Sequence, residues 1–441
     1  MSRGHEQRDI FHIYLDNYIF LDNIQLSVDQ HCVDCSCVDL GCLLILNGWI
    51  TFSLSNELGP MENPFSYSGI VTGAAFCNRK AELADLTRRV FDSQNILLYA
   101  HRRTGKSSLI HNLIISQEFE SQIQRYKKRH GIGIKAAVID LYGTLSESDF
   151  ITALFQGISK FEKNFDKLMS LIQGIRFIVG TDPVSGLPTI TPNFTSREAP
   201  EYLEHVMQIC ESYSQKNKLL IVFDEFQEVG KYAEQGFEKR LRKEIQRHSN
   251  ISYLFCGSKH HILEIMFNSP DRAFYKLARN FRLKPIALSH YKAWALDLFE
   301  QKGKALPVKV IESIVKRCEQ HPAYVQQFLS ELWYMDKINL AAVDEIEESL
   351  LRENQPTFIK EWDTLTVNQR KTLKLIVTTD GKGMFTTENL QSVGFSSPGM
   401  LTRTLKSLVE KDIIRKNDTY KLQDPIFKKW LMVLSSRFRV V

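Results

Sequence analysis

The sequence has no apolar run long enough for a membrane-spanning helix. Its longest run near the N-terminus, residues 40–52, has about thirteen residues and is interrupted by Asn47, whereas a spanning helix needs about 20. No basic segment precedes this run and no small-residue cleavage pattern follows it, so it does not have the pattern of a signal peptide. These absences predict a cytoplasmic protein with no membrane partner.

Cysteine is also sparse. The chain has eight cysteines in 441 residues, and their scattered positions fit a reducing compartment better than a disulfide framework. Cys32, Cys35 and Cys37 form the one cluster whose thiolates could hold a metal ion. Its spacing is not that of a paired CxxC site and no histidine completes it at a standard distance. The cluster is therefore weak evidence for a metal site.

A strong net charge is absent as well. The formal net charge of +5 argues neither for nor against a polyanionic partner. The distribution is more informative, because residues 360–441 contain 15 Lys and Arg against 8 Asp and Glu, a net +7, which leaves −2 for the rest. The composition, 43% hydrophobic and 24% charged, is that of a globular protein. The length predicts two or three domains.

The pattern along the chain predicts an α/β fold with four parts. Residues 1–60 have no clear helical or strand period, and we interpret them as an extension, mis-assigned or disordered, with Met61 as the natural start. Residues 61–285 alternate short β-rich runs with helical ones, and the apolar runs indicate a parallel sheet covered on both faces, hence a three-layer αβα core. The predicted strands are Asn95–Ala100, Ala136–Asp140, Leu219–Phe223, Ile251–Cys256 and Phe281–Leu283, with a hairpin inserted between Arg176 and Asn193.

The C-terminal third predicts two smaller domains. Residues 286–358 are mostly helical in pattern and would form a lid. Residues 359–441 predict three helices and then a hairpin that turns at Asn417-Asp418, which is the element order of a winged helix. Two of these helices have clear start signals: Thr366 with Gln369 has the spacing of a capping box, and Ser397-Pro398 combines an N-cap serine with proline at the first helical position.

The clearest chemical signal is a glycine-containing loop between a predicted strand and a predicted helix. Backbone N–H groups in such a turn, together with the helix N-terminus, form an anion site. Lys106 would reach the β- and γ-phosphates of ATP, and the Ser107 hydroxyl would take one position around Mg²⁺. The alternative, a basic turn at a helix start, is the weaker interpretation, because strand, loop, lysine and helix occur together. The loop and its first helical turn comprise Ala100, His101, Arg102, Arg103, Thr104, Gly105, Lys106, Ser107 and Ser108.

An acidic pair, Asp224 and Glu225, follows the apolar run 219–223. Ligands of open α/β sheets bind at the carboxyl ends of strands, so we expect this pair beside the phosphate loop. Asp224 would hold the Mg²⁺ ion and Glu225 would polarise the attacking water as general base. Alone, such a pair is often just a solvated strand end; an earlier phosphate loop in the same domain favours the catalytic interpretation.

Three weaker candidates follow from position. Ser258, at the end of the next predicted strand, would lie near the γ-phosphate, although a turn-forming Gly-Ser is nearly as good an interpretation. Arg272 could act as an arginine finger on a neighbouring subunit's nucleotide, against the default of a surface arginine. Arg102 and Arg103 could contact either the phosphates or a partner protomer.

The motifs together resemble those of the prokaryotic P-loop ATPases grouped with the STAND and AAA+ superfamilies. Residues 76–83 look like their opening "FxGRExEL", and residues 100–108, AHRRTGKSS, look like their Walker A "GpRRxGKTSL". Residues 221–229 are similar to their Walker B strand and residues 255–267 to their sensor strand and helix. Residues 422–431 are similar to the end of their winged helix, so the resemblance spans residues 64–431.

This resemblance implies further site residues. Adenine nucleotide would bind near Phe76 and Arg79, and Pro322 lies where the family has a Gly-x-Pro turn that contacts the nucleotide. Glycines of the family are replaced here by Asn78, Ala100 and Gln320. The implied cofactors are ATP and Mg²⁺, and the implied activity is slow, regulated hydrolysis.

Three functions compete at this stage. The first is an ATPase switch in which nucleotide state rearranges the lid and winged helix, with a protein partner or a nucleotide-dependent homo-oligomer as its target. The second is a DNA-binding AAA+ protein that resembles replication initiators and seats its winged helix on duplex DNA. The third is a non-catalytic nucleotide-binding scaffold, which would have no need of Glu225. The cations available for DNA are Arg403, Lys406, Lys411, Arg415, Lys416 and Lys421.

Overall fold

The computed structural model describes residues 44–46, 49–51, 63–99, 103–162, 176–181, 188–416 and 418–437. The chain divides into two compact units, Met1–Met61 and Glu62–Val441. In the first unit, β1 (Leu44–Leu46) pairs antiparallel with β2 (Trp49–Thr51). The cysteine cluster of residues 32–37 lies outside the described residues. Within the described ranges no helix is long and apolar enough to cross a membrane, and no cluster of three or more His, Cys, Asp or Glu could hold a metal ion.

The second unit has a five-stranded parallel sheet in which the first strand lies between the fourth and the fifth. The strands of this unit up to the end of the sheet are β3 (Ile96–Tyr99), β4 (Gly133–Asp140), β5 (Phe177–Thr181), β6 (Pro188–Pro192), β7 (Asn217–Asp224), β8 (Ile251–Gly257) and β9 (Arg279–Arg282). The spatial order of the sheet is β4-β7-β8-β3-β9, and every neighbouring pair is parallel. The predicted parallel sheet is therefore confirmed.

Helices cover both faces of the sheet, so the core has the predicted three layers. On one face, Leu86, Leu109 and Phe119 pack against the strands; on the other, Phe150, Val206 and Leu263 do so. The central strands β3 and β8 are buried along their whole length, which explains their unbroken apolar runs. The core helices are α1 (Lys80–Phe91), α2 (Lys106–Ile115), α3 (Gln117–His130), α4 (Glu147–Ser159), α5 (Ala199–Lys216), α6 (Phe237–Arg247) and α7 (His260–Asn268).

The antiparallel pair β5–β6 is the predicted inserted hairpin, with Phe177 opposite Pro192. Beyond the sheet lie a helical region (residues 288–363) and a C-terminal region (residues 364–437). The predicted boundary after residue 358 falls inside one continuous helix, α11, which runs through Pro356 to Asp363. The helical region contains α8 (Leu288–Gln301), α9 (Val308–Arg317), α10 (Pro322–Tyr334) and α11 (Leu340–Asp363).

The C-terminal region has three helices, an antiparallel two-stranded hairpin and a final helix. The capping box at Thr366 and Gln369 is present, and Pro398 opens the third helix as its pattern indicates. Asn417, at the predicted turn, is outside the described residues. The elements are α12 (Val367–Thr379), α13 (Thr387–Ser392), α14 (Pro398–Glu410), β10 (Ile414–Lys416), β11 (Tyr420–Leu422) and α15 (Pro425–Arg437).

Polar contacts attach the C-terminal region to the helical region. Glu319, just after α9, accepts from Arg415 at 3.3 Å and from Lys428 at 2.9 Å. The Tyr324 hydroxyl donates to Asp424 Oδ2 at 2.6 Å. Asp424 Oδ1 in turn accepts from the backbone N–H groups of residues 426 and 427 and so caps α15. A side chain of α10 is thereby bonded to the residue that begins the last helix.

Candidate nucleotide site

The loop after β3 leads directly into the N-terminus of α2. Gly105 has φ +87° and is the N-cap of that helix, and Arg103 has φ +57°. A side chain at Gly105 would be strained by this backbone conformation, so glycine is required there. Within the part of the chain that the structure describes, no side chain caps the helix, which leaves the N–H groups of its first turn available to an anion. Ala100, His101 and Arg102 lie outside the described residues.

Lys106 lies at the start of α2 and points at the acidic pair of β7. Its Nζ is 2.5 Å from Asp224 Oδ1 and 3.3 Å from Glu225 Oε1, and the residue is only 8% exposed. Ser107 Oγ is 3.5 Å from Asp224 Oδ2. The strand order places β8 between β3 and β7, so the lysine reaches across the end of β8. The structure thus brings together the four residues predicted to hold phosphate and metal and to activate water.

The two carboxylate oxygens of Glu225 have different partners. Oε1 contacts Lys106, whereas Oε2 accepts from Ser258 Oγ at 2.7 Å and from Gln227 Nε2 at 2.5 Å. Gln227 is 1% exposed, and its Oε1 is buried without a hydrogen-bond partner among the described residues. Ser258 was predicted to contact phosphate; here it holds the carboxylate. Gln227 was not predicted as a site residue, and its position two residues after Glu225 was the only available signal.

Gly257 makes room for this arrangement. A Cβ atom at this position would lie 1.9 Å from Gln227 Oε1, so any side chain here would force the Gln227 amide to move. Its φ is not in the left-handed region, so glycine is favoured here by space and not by backbone conformation. The last residue of β8 therefore determines where the Gln227 amide lies, and through it where Glu225 Oε2 lies.

The local electrostatics keep the Glu225 carboxylate and the Lys106 ammonium ionised at neutral pH. Burial alone would raise the pKa of Glu225, but the Lys106 ammonium and the hydrogen bonds from Ser258 and Gln227 outweigh it, and the pKa is lower than usual for glutamate. Burial alone would lower the pKa of Lys106, but the groups around it, which include the Asp224 and Glu225 carboxylates, outweigh burial and raise the pKa. Burial raises the pKa of the Cys256 thiol, which lies 3.4 Å from Asp224 Oδ1, well above its usual value. That thiol is therefore a neutral neighbour of the metal-binding candidate.

A cavity of about 800 Å³ opens beside Lys106, between the core and the helical region. Residues 103–108, Glu225 and Ser258 form the part of its lining that carries the predicted phosphate and metal residues. The rest comes from residues 66–79, from Ile286 and from the helical region, and includes Phe76, Tyr291, Pro322 and Tyr324. Its volume is in the range of small-molecule binding sites.

Residues 63–79, which we call the leading segment, join α2 to the helical region. On the core side, Val71 N–H donates to Ser108 Oγ at 3.0 Å, and Asn112 Nδ2 donates to Val71 O at 2.7 Å. On the other side, Gln326 Nε2 donates to Ala75 O at 2.7 Å. Phe65 is buried against Trp294, Phe299 and Trp333. Ser108 therefore bonds to the leading segment, whereas the sequence predicted it only as part of the phosphate loop.

Other predicted residues divide into those at the cavity and those away from it. Phe76, Arg79 and Pro322 line the cavity. Arg79 is 4% exposed, and its Nη1 donates to Glu82 and to Lys284 O at 2.7 Å, so it also connects structural elements. Arg272 is not among the lining residues and pairs with Glu238 on α6. A role for Arg272 in a neighbouring subunit stays a prediction.

Of the six cations predicted to face DNA, Arg403, Lys406, Lys411 and Lys416 are exposed, and Arg415 and Lys421 are partly buried. Lys411 Nζ is 3.3 Å from Gln369 Oε1 within the C-terminal region. Arg415 bonds Glu319, so this part of the predicted charge contacts the helical region.

No protein-family model and no curated protein matches this sequence. Among solved structures, a Walker-type ATPase of Pyrococcus abyssi matches with a TM-score of 0.57 at 19% identity, over 83% of this chain and 99% of that one. The fold is that of a P-loop ATPase. The ORC2 protein of Aeropyrum pernix, in its ADPNP–ADP complexes, matches at a TM-score of 0.49 with 14% identity, over 82% of this chain and 94% of that one. The RuvB Holliday junction branch migration motor of Thermotoga maritima matches with a TM-score of 0.38 at 12% identity, over 79% of this chain and 93% of that one.

The P-loop ATPase fold places its phosphate loop after the first core strand, where Gly105 and Lys106 lie here. The prediction of a prokaryotic-type P-loop ATPase fold is confirmed. Likeness at this identity concerns the fold, so the activity must be argued from the residues of the site.

Proposed function

We propose that the protein binds ATP with Mg²⁺ and hydrolyses it. The observation that carries this proposal is the position of Lys106, which lines the 800 Å³ cavity and whose Nζ lies within 3.3 Å of both Asp224 and Glu225. A lysine, two carboxylates, a hydroxyl and an uncapped helix N-terminus are the groups that phosphoryl transfer to water requires.

The phosphates would lie against the N–H groups of residues 105–108. The Lys106 ammonium would then turn from the carboxylates to the β- and γ-phosphates, which carry more negative charge. Ser107 and Asp224 would hold Mg²⁺, because hydroxyl and carboxylate oxygens are the ligands this ion prefers. Mg²⁺, when bound, neutralises part of the charge that develops on the phosphate oxygens.

Glu225 would activate the attacking water through Oε1. Lys106 is the contact on that oxygen, and its charge is the strongest of the influences that lower the Glu225 pKa. When the ammonium turns to phosphate, Oε1 loses this contact and its affinity for a proton rises. Oε2 keeps its bonds to Ser258 and Gln227, so the carboxylate stays oriented. The scaffold alternative gives no reason to hold a carboxylate in this way.

Nucleotide state would be transmitted through α10, which makes this an AAA+ or STAND-type switch. Pro322 and Tyr324 line the cavity, and Tyr324 is bonded to Asp424 of the C-terminal region. A ligand that displaces Tyr324 therefore alters the contact that holds the start of α15. Duplex DNA is a second candidate ligand for the C-terminal region, favoured by the exposed Arg403, Lys406 and Lys416.

Steady-state ATP turnover by the full chain, with and without duplex DNA, tests this proposal. We expect Glu225→Gln to lower kcat by about 100-fold or more while ATP still binds, because the amide cannot accept the proton of the water. Glu228→Gln is the matched control. Glu228 belongs to the same turn, but it pairs with Lys231 and does not line the cavity. Its contact with Gln227 Nε2 is long, at 3.5 Å, against 2.5 Å from the same amide nitrogen to Glu225.

Normal turnover by Glu225→Gln would show that this carboxylate is not the base. Equal loss in Glu228→Gln would point to damage of the turn instead of loss of the base. Stimulation by DNA that disappears on replacement of Arg403 and Lys406 would support the second ligand, and an absence of any DNA effect would remove it.

A further inference from the structure

A second cavity, of about 710 Å³, lies where the core, the helical region and the C-terminal region meet. Arg79, Thr104 and Pro322 form the wall that it shares with the nucleotide cavity. The remaining walls come from all three parts of the second unit. This volume also suits a small molecule.

The lining of this junction cavity has an excess of positive charge. Three acids line it: Glu312, Glu319 and Asp380. Six cations line it, which leaves a net +3: Arg79, Arg282, Lys316, Arg415, Lys421 and Lys428.

The acids do not neutralise these cations one by one. Glu319 is shared by Arg415 and Lys428, and Lys428 also binds Asp380 at 3.0 Å. Two pairs reach outside the lining, Glu312 with Lys292 and Arg79 with Glu82, so they leave the net charge of the remaining lining unchanged. Burial lowers the pKa of Arg415, and the nearby Glu319 offsets this only in part.

Two guanidinium groups at this cavity have buried nitrogen atoms without partners among the described residues. They are Nη2 of Arg79, a residue that is 4% exposed, and Nε of Arg415. A buried donor without an acceptor costs free energy, and a ligand that draws these two side chains toward its own oxygens recovers that cost. The shape of guanidinium suits phosphate oxygens, which accept two parallel N–H bonds.

We propose that the junction cavity binds a small anion with two or more phosphate groups, separately from the nucleotide bound at Lys106. Its charge would offset the +3 of the lining, and its oxygens would accept from Arg79 and Arg415. By contacting all three parts it would favour their packed arrangement. The proposal does not depend on hydrolysis, because none of Lys106, Asp224 and Glu225 lines this cavity.

Calorimetric titration with inorganic triphosphate tests the proposal. The full chain is used with Lys106→Ala, which weakens binding at the phosphate loop and leaves the junction cavity intact. We expect one triphosphate per chain, and an affinity about tenfold lower when Lys421→Glu or Lys316→Glu is added. Neither lysine makes an ion pair with a described residue, and they come from different regions, so both variants should fold. Thermal unfolding checks this.

Lys416→Glu and Lys309→Glu are the matched controls, since each lies on an exposed position of the same hairpin or helix and does not line the cavity. We expect both to bind triphosphate as the parent does. The proposal would be overturned if the Lys106→Ala protein failed to bind triphosphate, or if the control and cavity variants lost affinity for it equally. Displacement of triphosphate by ADP would identify the ligand's source as a nucleotide, and resistance to ADP would identify a free oligophosphate.

Discussion

At the level of single residues, the site depends on the different environments of the two Glu225 oxygens. The Oε1 atom is paired with a lysine that can turn away to phosphate, and Oε2 is held by Ser258 and Gln227. Lys106, Ser107, Asp224 and Glu225 could be predicted from sequence because each follows a recognisable strand. Gln227 could not, because its role depends on the space above Gly257, a residue 30 positions away.

Gly257→Ala tests this role. The methyl group would overlap Gln227 Oε1 and displace the amide from Glu225, so we expect kcat for ATP hydrolysis to fall about tenfold, with little change in KM. Gln227→Ala should have a similar effect. The double variant should be no slower than either single one, because both remove the same bond. Unchanged kcat in Gly257→Ala, or losses that multiply in the double variant, would contradict the role of Gln227.

Among the secondary-structure elements, the buried strands were the most predictable, because strands covered on both faces are apolar throughout. The helix α3 does not follow from an apolar pattern in the sequence, although Ser116 and Gly131 cap it. Few of its positions are apolar, and among them Phe119 is the one that is fully buried, so its sequence lacks a broad apolar stripe. The leading segment was also unpredictable as a structural link, since Val71 meets a residue 37 positions further along the chain.

The link between the leading segment and α2 has a measurable consequence. Asn112→Ala removes the bond to Val71 O and loosens one wall of the nucleotide cavity. A neutral hydrogen bond is worth about 1 kcal/mol, so we expect ATP affinity to fall about fivefold while kcat is unchanged. His111→Ala, on the exposed face of the same helix, should bind ATP normally. Equal affinities for Asn112→Ala and the unmodified protein would show that this segment does not shape the site.

In the molecule as a whole, charged side chains join the regions to one another as well as lining the proposed ligand sites. The +7 of residues 360–441 led us to predict a DNA surface, yet Arg415 and Lys428 bind Glu319 and so join the C-terminal region to the helical region. These pairs are 96 and 109 positions apart, and no local pattern indicates them. The P-loop ATPase fold could be predicted from the order of its motifs along the chain. The cavities between its parts could not, because they depend on how those parts pack in three dimensions.

The binding of ATP with Mg²⁺ to the unmodified protein and to Lys106→Ala, measured by calorimetry, bears most directly on the proposed triphosphate site. A charge-assisted hydrogen bond contributes about 1.5–3 kcal/mol, so we predict at least about tenfold weaker binding for the variant. The variant should remain folded, because Asp224 keeps the backbone N–H of Glu225 as a partner. If Lys106→Ala binds ATP as tightly as the unmodified protein, the triphosphate does not lie at this loop and the proposed mechanism is contradicted.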